Sequence, residues 1–461
     1  MSMRGSLLLK TDSYKVTHWR QYPPGTTGVF SYLESRGGRW PTSVFFGLQY
    51  LLREYVVGPV VTRAGIEEAD EFFSQHFGDP SLFNREGWEY VLREHGGRLP
   101  VRIKAVPEGS PVWNRNVLMT IENTDPHVAW LTNYMETLLV QVWYPTTVAT
   151  QSREMKRIWQ EYLVRTGDPS LIAFKLHDFG YRGSTSDESA ALGGAAHLVN
   201  FKGTDNLAGC ELAMRYYRAQ MPGFSIPAAE HSTITAWGRE RELDAYANML
   251  RAYPDSSLIA VVSDSYDIFH AVSELWGKSL RDAVMARRGA VVIRPDSGKP
   301  DEVVVSVLRR LAATFGARVN AKGYKVLDDH VRVIQGDGID YDSIRTILES
   351  MALDGWSADN LTMGSGGGLL QKVDRDTQRF AFKCSAVRIG DTWSPVSKAP
   401  ITDPGKNSKA GRLKLVRING EHATVAEDNS AHDEMVEVFR DGELLKEWTF
   451  DEVRERAALT T

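Results

Sequence analysis

Cysteine is scarce in this chain, since only Cys210 and Cys384 occur among its 461 residues. Two cysteines cannot build the disulfide framework of a small secreted domain, and such scarcity is typical of a reducing compartment. Long apolar runs are also missing, because no segment approaches the ~18–20 unbroken apolar residues of a membrane span. The run Leu7–Leu9 is far shorter than the apolar core of a secretory signal. We therefore expect a soluble, cytoplasmic protein that does not bind membranes.

An excess of basic charge is absent as well. The chain has 54 Lys and Arg residues against 59 Asp and Glu residues, which gives a net charge of −5. Proteins whose main task is to coat nucleic acid are normally basic, so we expect no nucleic acid partner. Hydrophobic residues make up 42% of the chain and include 12 Trp, enough for a large core. This composition excludes a disordered or fibrous chain, and the length predicts two or three domains.

Glycine, with 39 residues, gathers where short apolar runs end. Segments with helical spacing at 236–250, 302–314 and 342–352 separate some of these runs. Short strands that alternate with helices predict βα units around a parallel sheet, with polar clusters at the carboxyl ends of the strands. Seven such units predict a closed or nearly closed barrel, although turn formation is the alternative role for any single cluster. The seven runs lie at 171–176, 197–200, 224–227, 258–262, 290–293, 331–334 and 360–363.

The two flanks of the chain alternate in short pieces instead. The segment 101–122 is typical of strands, as are later pieces at 380–384, 413–416 and 436–439. Asp441-Gly442 is a hairpin signal. We therefore predict an α/β fold with an irregular (β/α) barrel over residues 171–379. An α+β domain with a mainly antiparallel sheet is predicted from residues 1–170 together with 380–461.

Gly364-Ser365-Gly366-Gly367-Gly368 is the clearest phosphate-binding signal. Consecutive glycines after a strand let backbone N–H groups approach an anion. The run has neither the ending of a P-loop nor the spacing of a dinucleotide fold, and a flexible turn is the alternative. Gln335-Gly336-Asp337-Gly338 supports the phosphate interpretation, because a carboxylate beside such glycines is well placed for ribose hydroxyls. Together the two motifs indicate a phosphorylated sugar.

Arg294 and Asp296 follow one apolar run, two residues apart. The guanidinium can hold a phosphate, carboxylate or amide, while the carboxylate takes a hydroxyl or a metal-bound water. An internal ion pair is the alternative. Asp264 and Asp267 can help to hold Mg²⁺ or can cap the next helix, and we assign Asp267 and Asp296 as tentative Mg²⁺ ligands.

Three further residue types suggest chemistry. His231 follows Glu230 in a strand-end loop and is a candidate general base or phosphoryl acceptor, although most of the 11 histidines must be structural. Asp205 is a lone carboxylate that can accept from a neutral N–H group. Phe179 and Tyr181 can stack on a flat ring, although core packing is the commoner use of aromatic residues.

Taken together, these motifs resemble one family, the nicotinamide phosphoribosyltransferases of the type II phosphoribosyltransferase group. The resemblance extends over nearly the whole chain, and motifs of this length and number are highly specific. The matching motifs are TDSYKVTH at 11–18, QYPP at 21–24, KAVPEG at 104–109, NTDP at 123–126, KLHDFGYRG at 175–183, FKGTD at 201–205 and PAAEHS at 227–232.

The resemblance implies a role for each matching residue. Phe179, and Tyr14 of the partner subunit, correspond to aromatic residues on the two faces of a pyridine ring. Asp205 corresponds to the carboxylate that accepts from the carboxamide, and Arg294 and Ser263 belong to the same pocket. The other implied contacts are those of Asp296 and Asp337 with ribose, of the Gly336, Gly366 and Gly367 backbone with ribose and 5′-phosphate, and of Arg182, Arg375 and the partner's Arg36 and Lys383 with phosphate and pyrophosphate.

The resemblance also implies the reaction. Nicotinamide and phosphoribosyl pyrophosphate would give nicotinamide mononucleotide and pyrophosphate, with Mg²⁺, in a homodimer with shared active sites. His231 corresponds to the histidine that family members phosphorylate with ATP. The ring nitrogen of nicotinamide already has a free lone pair, which favours this role over that of a general base. Asp205 accepts from an amide but repels the carboxylate of nicotinate, so a preference for nicotinamide is expected.

Two other functions are weighed beside this one. A nicotinate or broader pyridine phosphoribosyltransferase is the alternative enzyme, and Asp205 argues against it. A catalytically idle relative that acts as a binding protein is the alternative from another class. The chain departs from the vertebrate-like pattern at 37–43, where a compact segment replaces a longer Lys-rich loop. Arg36 keeps its place, so we expect substrate binding to survive, whereas partner contacts of the longer loop do not carry over.

Overall fold

The computed structural model describes residues 5–403 and 406–459 and divides into two compact units. Unit 1 comprises the described residues up to Thr150, Arg215–Ala219 and Asp374–Ala458. Unit 2 comprises Gln151–Met214 and Gln220–Val373, together with residue 459. The domain boundaries expected from the sequence, at 170 and 379, differ from this division. Residues 151–170 lie in unit 2, and residues 374–379 lie in unit 1.

Nineteen β-strands occur within the described residues. In chain order they are β1 (Thr26–Ser35), β2 (Thr42–Val44), β3 (Val101–Ala105), β4 (Pro111–Trp113), β5 (Val117–Asn123), β6 (Leu176–Asp178), β7 (Gly203–Thr204), β8 (Leu258–Val262), β9 (Ala290–Arg294), β10 (Ala317–Val319), β11 (Lys325–Leu327), β12 (Val331–Gln335), β13 (Leu361–Ser365), β14 (Phe380–Ile389), β15 (Thr392–Pro395), β16 (Leu413–Ile418), β17 (Glu421–Ala426), β18 (Val436–Arg440) and β19 (Glu443–Leu444).

The same residues form sixteen α-helices. They are α1 (Leu48–Tyr55), α2 (Arg63–Phe77), α3 (Arg85–Glu94), α4 (Leu131–Tyr134), α5 (Glu136–Val140), α6 (Trp143–Thr166), α7 (Asp187–Leu198), α8 (Leu207–Tyr217), α9 (His231–Thr235), α10 (Glu242–Ala252), α11 (Ile268–His270), α12 (Arg281–Met285), α13 (Pro300–Phe315), α14 (Tyr341–Leu353), α15 (Gly367–Leu370) and α16 (Phe450–Ala457). A π-helical stretch covers Ala271–Ser279, and 3-10 turns include Ser13–Arg20, Pro169–Phe174, Tyr181–Gly183, Arg239–Arg241 and Ala358–Asn360.

Unit 1 is built on a seven-stranded antiparallel sheet in the order β15-β14-β1-β5-β3-β18-β19. Its central pairings join β1, from the N-terminal part of the chain, to β14, from the C-terminal part, and to β5. Asp441 and Gly442 form the turn between β18 and β19 with positive φ angles of 49° and 87°. Two-residue hairpin turns require this conformation. The predictions of a mainly antiparallel sheet from both chain ends and of this hairpin are therefore confirmed.

Unit 2 contains a six-stranded parallel sheet in the order β7-β6-β13-β12-β9-β8. The segment 224–229 links its two edge strands. The Thr204 N–H donates to the Phe224 carbonyl at 3.0 Å, and the Ala260 N–H donates to the Pro227 carbonyl at 2.9 Å. The sheet is thereby closed into an irregular barrel, as the βα alternation predicts.

Four of the seven predicted strands coincide with β8, β9, β12 and β13. Two predictions are wrong. Residues 171–174 belong to a 3-10 turn, so β6 begins only at Leu176, and residues 197–200 end helix α7. A short apolar run has the same composition in a buried helix end as in a strand, and periodicity does not separate the two. The run at 224–227 forms only single bridges to the sheet.

The outer helices follow the apolar spacing seen in the sequence. Helix α13 begins with Pro300, whose fixed φ suits a first helical position, and it buries Val304, Val307 and Leu311. Helix α14 begins at a capping box that Asp340 makes with Ser343. The helix predicted at 236–250 begins only at Glu242, because Gly238 with φ 80° interrupts it. Within the described part of the chain, no helix has both the length and the apolar character to cross a membrane.

Lys175, directly before β6, joins the bases of two neighbouring strands. Its side chain is buried, and its Nζ donates to the carbonyls of Ala358 at 3.1 Å, Asp359 at 3.0 Å and Leu361 at 2.8 Å. These acceptors lie at the entry to β13. A protonated amine has three donors, so the three carbonyls match the hydrogen-bonding capacity of the charged form. Burial opposes that form and lowers the pKa of Lys175 to about 7. The contact holds β6 and β13 together at the ends opposite to their polar loops.

Replacing Lys175 by Met should lower the free energy of unfolding of unit 2 by about 3 kcal/mol, because orphaned buried polar groups cost roughly 1–3 kcal/mol each. Urea unfolding followed by tryptophan fluorescence measures this change. The matched control is Lys202→Met, since Lys202 is exposed in a nearby loop. An equally small effect of both substitutions would contradict the role assigned to Lys175.

Candidate active site

A cavity of about 820 Å³ lies at the carboxyl ends of the parallel strands of unit 2. We name it the barrel cavity. Nine residues that the sequence analysis proposed for the site line it: Phe179, Arg182, Asp205, His231, Arg294, Asp296, Gly336, Asp337 and Gly366. The strand ends therefore bring these separated motifs together. Tyr181, Glu230, Ser232 and Val262 complete the lining; of these, only Tyr181 had been named as a candidate ring contact.

Arg294, at the end of β9, forms a bidentate ion pair with Asp296. Arg294 Nε lies 3.0 Å from Asp296 Oδ1, and Nη2 lies 2.9 Å from Oδ1 and 3.0 Å from Oδ2. The guanidinium also sits 5.5 Å from the centre of the Phe179 ring. An internal ion pair was the alternative role of these two residues in the sequence analysis. The structure contains this ion pair, and it forms part of the cavity wall. Within the described residues, Nη1 of Arg294 donates to no protein atom and remains available to a ligand.

Two glycines allow this wall to form. A Cβ atom on Gly364 would lie 1.9 Å from Cε2 of the Phe179 ring, so the ring occupies space that only glycine leaves open. A Cβ atom on Gly336 would lie 3.0 Å from Arg294 Nη2 and 3.1 Å from Asp296 Oδ1. A Cβ on Gly366 or Gly367, in contrast, would meet only ordinary contacts, at 3.4 Å and 3.7 Å. Packing within the chain explains the first two glycines but not Gly366 and Gly367.

His231, the first residue of α9, is half exposed and faces two carboxylates. Its Nδ1 lies 3.2 Å from Ser265 Oγ, and its Nε2 lies 3.5 Å from Asp296 Oδ2 and 3.9 Å from Asp264 Oδ1. Asp264 is buried, and its Oδ1 has no hydrogen-bond partner among the described residues. The sequence analysis named both Asp264 and Asp267 of this motif as Mg²⁺ ligands or helix caps, and of these two it assigned only Asp267 to the metal. The extra signal for Asp264 is its place two residues after the end of β8, closer to the strand than Asp267.

Asp205, just after β7, is held from two sides. Its Oδ1 accepts from the Ser225 hydroxyl, and its backbone N–H donates to the Asp178 carbonyl at 3.0 Å. Asp178 is fully buried, and its carboxylate accepts from the Gly180 N–H at 2.7 Å and from Asn206 Nδ2 at 2.9 Å. Burial raises the pKa of Asp178 to about 6, with a further rise from the Asp205 charge and a partial offset by these two donors. The sequence analysis missed Ser225 and Asp178 because neither stands out by residue type.

Seven proposed residues lie outside the lining of the barrel cavity, and three of them belong to unit 2. Ser263 is fully buried, where its hydroxyl donates to the Val261 carbonyl at 3.0 Å and accepts from Trp276 Nε1 at 3.1 Å. Asp267 Oδ1 accepts from two backbone N–H groups, at 2.9 Å and 3.0 Å, and so caps α11, which was its alternative role. Gly367 begins α15, directly after the cavity residue Gly366.

The four remaining residues belong to unit 1. Arg36, Arg375 and Lys383 line a second cavity of about 760 Å³, which we name the basic cavity. Burial lowers the pKa of Lys383, and the charges of Arg36, Lys398 and Arg375 lower it further against the opposing effect of Glu136. Tyr14 lies in the 3-10 turn Ser13–Arg20 with 57% of its surface exposed. Each cavity belongs to one unit.

Two family models match the chain. Residues 174–443 match the nicotinate phosphoribosyltransferase (NAPRTase) family, and residues 6–103 match the N-terminal domain of nicotinamide phosphoribosyltransferase. The nicotinamide phosphoribosyltransferase of Xanthomonas campestris is 54% identical over 98% of both chains. That of Acinetobacter baylyi is 33% identical over 99% of this chain and 98% of the relative.

Two solved structures share the fold. The nicotinate-nucleotide pyrophosphorylase of Pyrococcus furiosus has a TM-score of 0.64 at 15% identity and covers 99% of this chain and 96% of its own. Human nicotinic acid phosphoribosyltransferase has a TM-score of 0.57 at 16% identity, with 97% and 92% covered. At these identities the likeness shows the fold alone. From the family models and the full-length relatives, the chain belongs to the nicotinamide phosphoribosyltransferases, within the nicotinate phosphoribosyltransferase family.

Proposed function

We propose that this protein transfers the phosphoribosyl group of phosphoribosyl pyrophosphate to the ring nitrogen of nicotinamide in NAD salvage. The products are nicotinamide mononucleotide and pyrophosphate. The observation that carries the proposal is the Asp205 carboxylate on the wall of the barrel cavity, with one oxygen bonded to Ser225. The name and the 54% identity of the Xanthomonas campestris relative support it.

Asp205 selects the substrate by its charge. Ser225 occupies Oδ1, and within the described residues Oδ2 has no protein donor, so it can accept an N–H of the carboxamide. Nicotinate would instead bring a carboxylate against this oxygen, and like charges at close range repel strongly. The buried Asp178 lies close enough behind the loop for the Asp205 charge to contribute to the rise in its pKa. The arrangement therefore favours the neutral amide over the acid.

The pyridine ring would stack on Phe179, beside the Arg294 guanidinium. Gly364 fixes the plane of the Phe179 ring, and Arg294 Nη1 has donors to spare for the amide oxygen. Tyr14 of the partner subunit would cover the opposite face, and its large exposed surface suits such a contact. Stacking from both sides would fix the orientation of the ring and hold its nitrogen in line with the ribose carbon that it attacks. Such positioning makes a bimolecular reaction effectively unimolecular.

The transfer exchanges one bond to C1 of ribose for another. The bond from C1 to pyrophosphate breaks with its electron pair on the departing oxygen, and the lone pair of the ring nitrogen forms the new bond. Positive charge develops on the ribose, as in glycoside cleavage. Asp296 and Asp337 would hold the ribose hydroxyls, while the backbone of Gly336, Gly366 and Gly367 would bind ribose and 5′-phosphate. The cations assigned to pyrophosphate are Arg182, Arg375 and the partner's Arg36 and Lys383.

Mg²⁺ fits the acidic groups beside His231. Asp264 Oδ1 is a buried carboxylate oxygen without a donor, and Asp296 lies on the same side of the cavity. No group of three or more His, Cys, Asp or Glu side chains that could hold a metal occurs in the described part of the chain. Asp264 and Asp296 would hold the ion with oxygen ligands, which Mg²⁺ prefers. When bound, Mg²⁺ would supply positive charge against the departing pyrophosphate.

ATP is assigned to His231 as an activating co-substrate. Ser265 holds Nδ1, and Nε2 is directed toward Asp296 and Asp264. An imidazole fixed by one nitrogen presents the other as a nucleophile. Phosphorylation there would form a bond between Nε2 and the γ-phosphorus, break the bond from that phosphorus to the bridging oxygen and release ADP. Attack of water on the phosphohistidine would then release phosphate and regenerate the imidazole, so that ATP hydrolysis would be coupled to product yield.

A homodimer with shared active sites completes the proposal. Unit 1 of one subunit would supply Tyr14, Arg36 and Lys383 to the barrel cavity of its partner. Within the described residues, none of the three lines the barrel cavity of its own chain. The low cysteine count, two residues in 461, suits a cytoplasmic location.

Purified protein with phosphoribosyl pyrophosphate and Mg²⁺ should form mononucleotide from nicotinamide and little or none from nicotinate. ATP should raise the yield, and radiolabel from γ-labelled ATP should attach to the wild type but not to His231→Asn. Chromatography of products and phosphoprotein analysis measure both results. Preferential turnover of nicotinate would mean that Asp205 has been misinterpreted. No turnover of either substrate by folded dimer would favour the non-enzymatic alternative.

Asp205→Asn should reduce the ratio of kcat/KM for nicotinamide over nicotinate by about tenfold or more, because the charge that repels nicotinate is gone. Competition assays with both substrates measure the ratio. Asp255→Asn is the matched control, since Asp255 is exposed in a loop of the same unit. Unchanged selectivity in Asp205→Asn would contradict the assignment.

Mixing a Tyr14→Ala chain with a Phe179→Ala chain should restore about a quarter of the active sites at random pairing, through heterodimers with one intact site. Each variant alone should be nearly inactive. Activity after denaturation and refolding of the mixture measures the recovery. No recovery in mixtures that native mass spectrometry shows to contain heterodimer would argue against shared sites.

A further inference from the structure

Two neighbouring loops of unit 2 carry the groups assigned to the nicotinamide ring and to its amide. Phe179 comes one residue after β6, and Asp205 comes one residue after β7, the adjacent strand of the parallel sheet. The last residues of these strands, Asp178 and Thr204, are paired in the sheet. A ligand that stacks on Phe179 and donates to Asp205 therefore depends on how firmly the two loops are joined.

The buried Asp178 residue joins these loops by three hydrogen bonds. Its Oδ1 accepts from the Gly180 N–H at 2.7 Å, in the turn that begins at Phe179. Its Oδ2 accepts from Asn206 Nδ2 at 2.9 Å, and its backbone carbonyl accepts from the Asp205 N–H at 3.0 Å. One residue thus contacts the neighbours of both groups that would bind nicotinamide.

Asn206, on the other side of this contact, is fully buried and is anchored to two helices. Besides Asp178, its Nδ2 donates to the Ala190 carbonyl of α7 at 2.9 Å. Its Oδ1 accepts from the Gly209 N–H in the first turn of α8 at 3.3 Å. A side-chain amide has two N–H donors, so both donors of Asn206 are used.

Two glycines leave room for the Asn206 side chain. A Cβ atom on Gly194 of α7 would lie 2.5 Å from Asn206 Nδ2 and 3.0 Å from the Cα atom of Gly209. A Cβ atom on Gly209 of α8 would lie 2.7 Å from the carbonyl carbon of Gly194. The two helices therefore approach closely beside Asn206. Such close packing restricts the rotamers of the amide, so the donor that faces Asp178 is held in place.

We propose that Asp178 and Asn206 are positioning residues that set the distance between the Phe179 ring and the Asp205 carboxylate. The proposal rests on the proposed function, in which those two groups bind nicotinamide. Asp178 and Asn206 do not line the barrel cavity, so they act through the two loops and not by contact with substrate. Most residues assigned to ribose and phosphate follow other strands, namely β9, β12 and β13. Loss of the pair should therefore affect nicotinamide more than phosphoribosyl pyrophosphate.

Steady-state kinetics of the full-length protein with both substrates tests the pair. In Asp178→Asn, an amide N–H would replace one of the two acceptor oxygens and would face a donor, either that of Gly180 or that of Asn206. The KM for nicotinamide should rise about tenfold or more, because a small displacement of a binding group is costly. The KM for phosphoribosyl pyrophosphate should change by less than about threefold, since its binding groups are mostly on other loops.

Exchange of the two side chains supplies a rescue. Asn206→Asp alone would place two carboxylates against each other and should also raise the KM for nicotinamide about tenfold or more. In the double variant Asp178→Asn with Asn206→Asp, the amide can donate to the carboxylate, so the hydrogen bond returns with its direction reversed. The KM for nicotinamide should then recover by about threefold or more, and the double-mutant cycle measures this coupling.

Asp354→Asn is the matched control. The Asp354 carboxylate also accepts from two residues, Arg309 and Trp356, each at 2.9 Å. It directly follows α14 in the same unit and does not line the barrel cavity. This substitution should lower the melting temperature and leave both KM values unchanged.

An unchanged KM for nicotinamide in both single variants would overturn the proposal. Equal increases in both KM values, with a lowered melting temperature and no recovery in the double variant, would also overturn it, since that pattern indicates a purely structural role. A wild type that turns over nicotinamide, with single variants that keep its KM, would leave the proposed function standing and remove only the positioning role. A wild type that does not turn over nicotinamide would overturn both.

Discussion

The contact between the Phe179 ring and the backbone of Gly364 sets the shape of the barrel cavity. The ring occupies the space that a Cβ atom on β13 would fill, so it lies flat against the strand end. From there it supports the Arg294 guanidinium, whose ion pair with Asp296 fills the space left by the missing side chain of Gly336. The aromatic ring and the guanidinium thus meet beside two glycines, Gly336 directly after β12 and Gly364 near the end of the neighbouring β13.

The base of the barrel keeps these strand ends aligned. Lys175 joins the entries of β6 and β13 through three carbonyls, and the same two strands carry Phe179 and Gly364 at their other ends. The buried Lys175 side chain thus joins the two strands that carry the ring and its glycine, although Lys175 does not line the cavity.

Much of the fold and of the site followed from the sequence. Apolar runs that end in Gly, Asp or Arg predicted four barrel strands correctly, because parallel strands place their carboxyl ends at one edge. The runs at 171–176 and 197–200 were misassigned in whole or in part, since burial in a helix end requires the same residues as burial in a strand. Ser225 and Asp178 were missed because their importance lies in one hydrogen bond to the Asp205 loop. Asp264 differs from Asp267 only in its packing.

Asp296 contacts two other residues of the barrel cavity, Arg294 through an ion pair and His231 at 3.5 Å. A ligand that binds Arg294 weakens its ion pair with Asp296 and leaves the carboxylate to interact with His231. A charge added to the His231 imidazole in turn changes the electrostatic interaction between Asp296 and Arg294. Occupancy on either side thus alters the free energy of occupancy on the other by the same amount, since linkage is reciprocal. One shared carboxylate is enough to make two binding events communicate without any movement of the backbone.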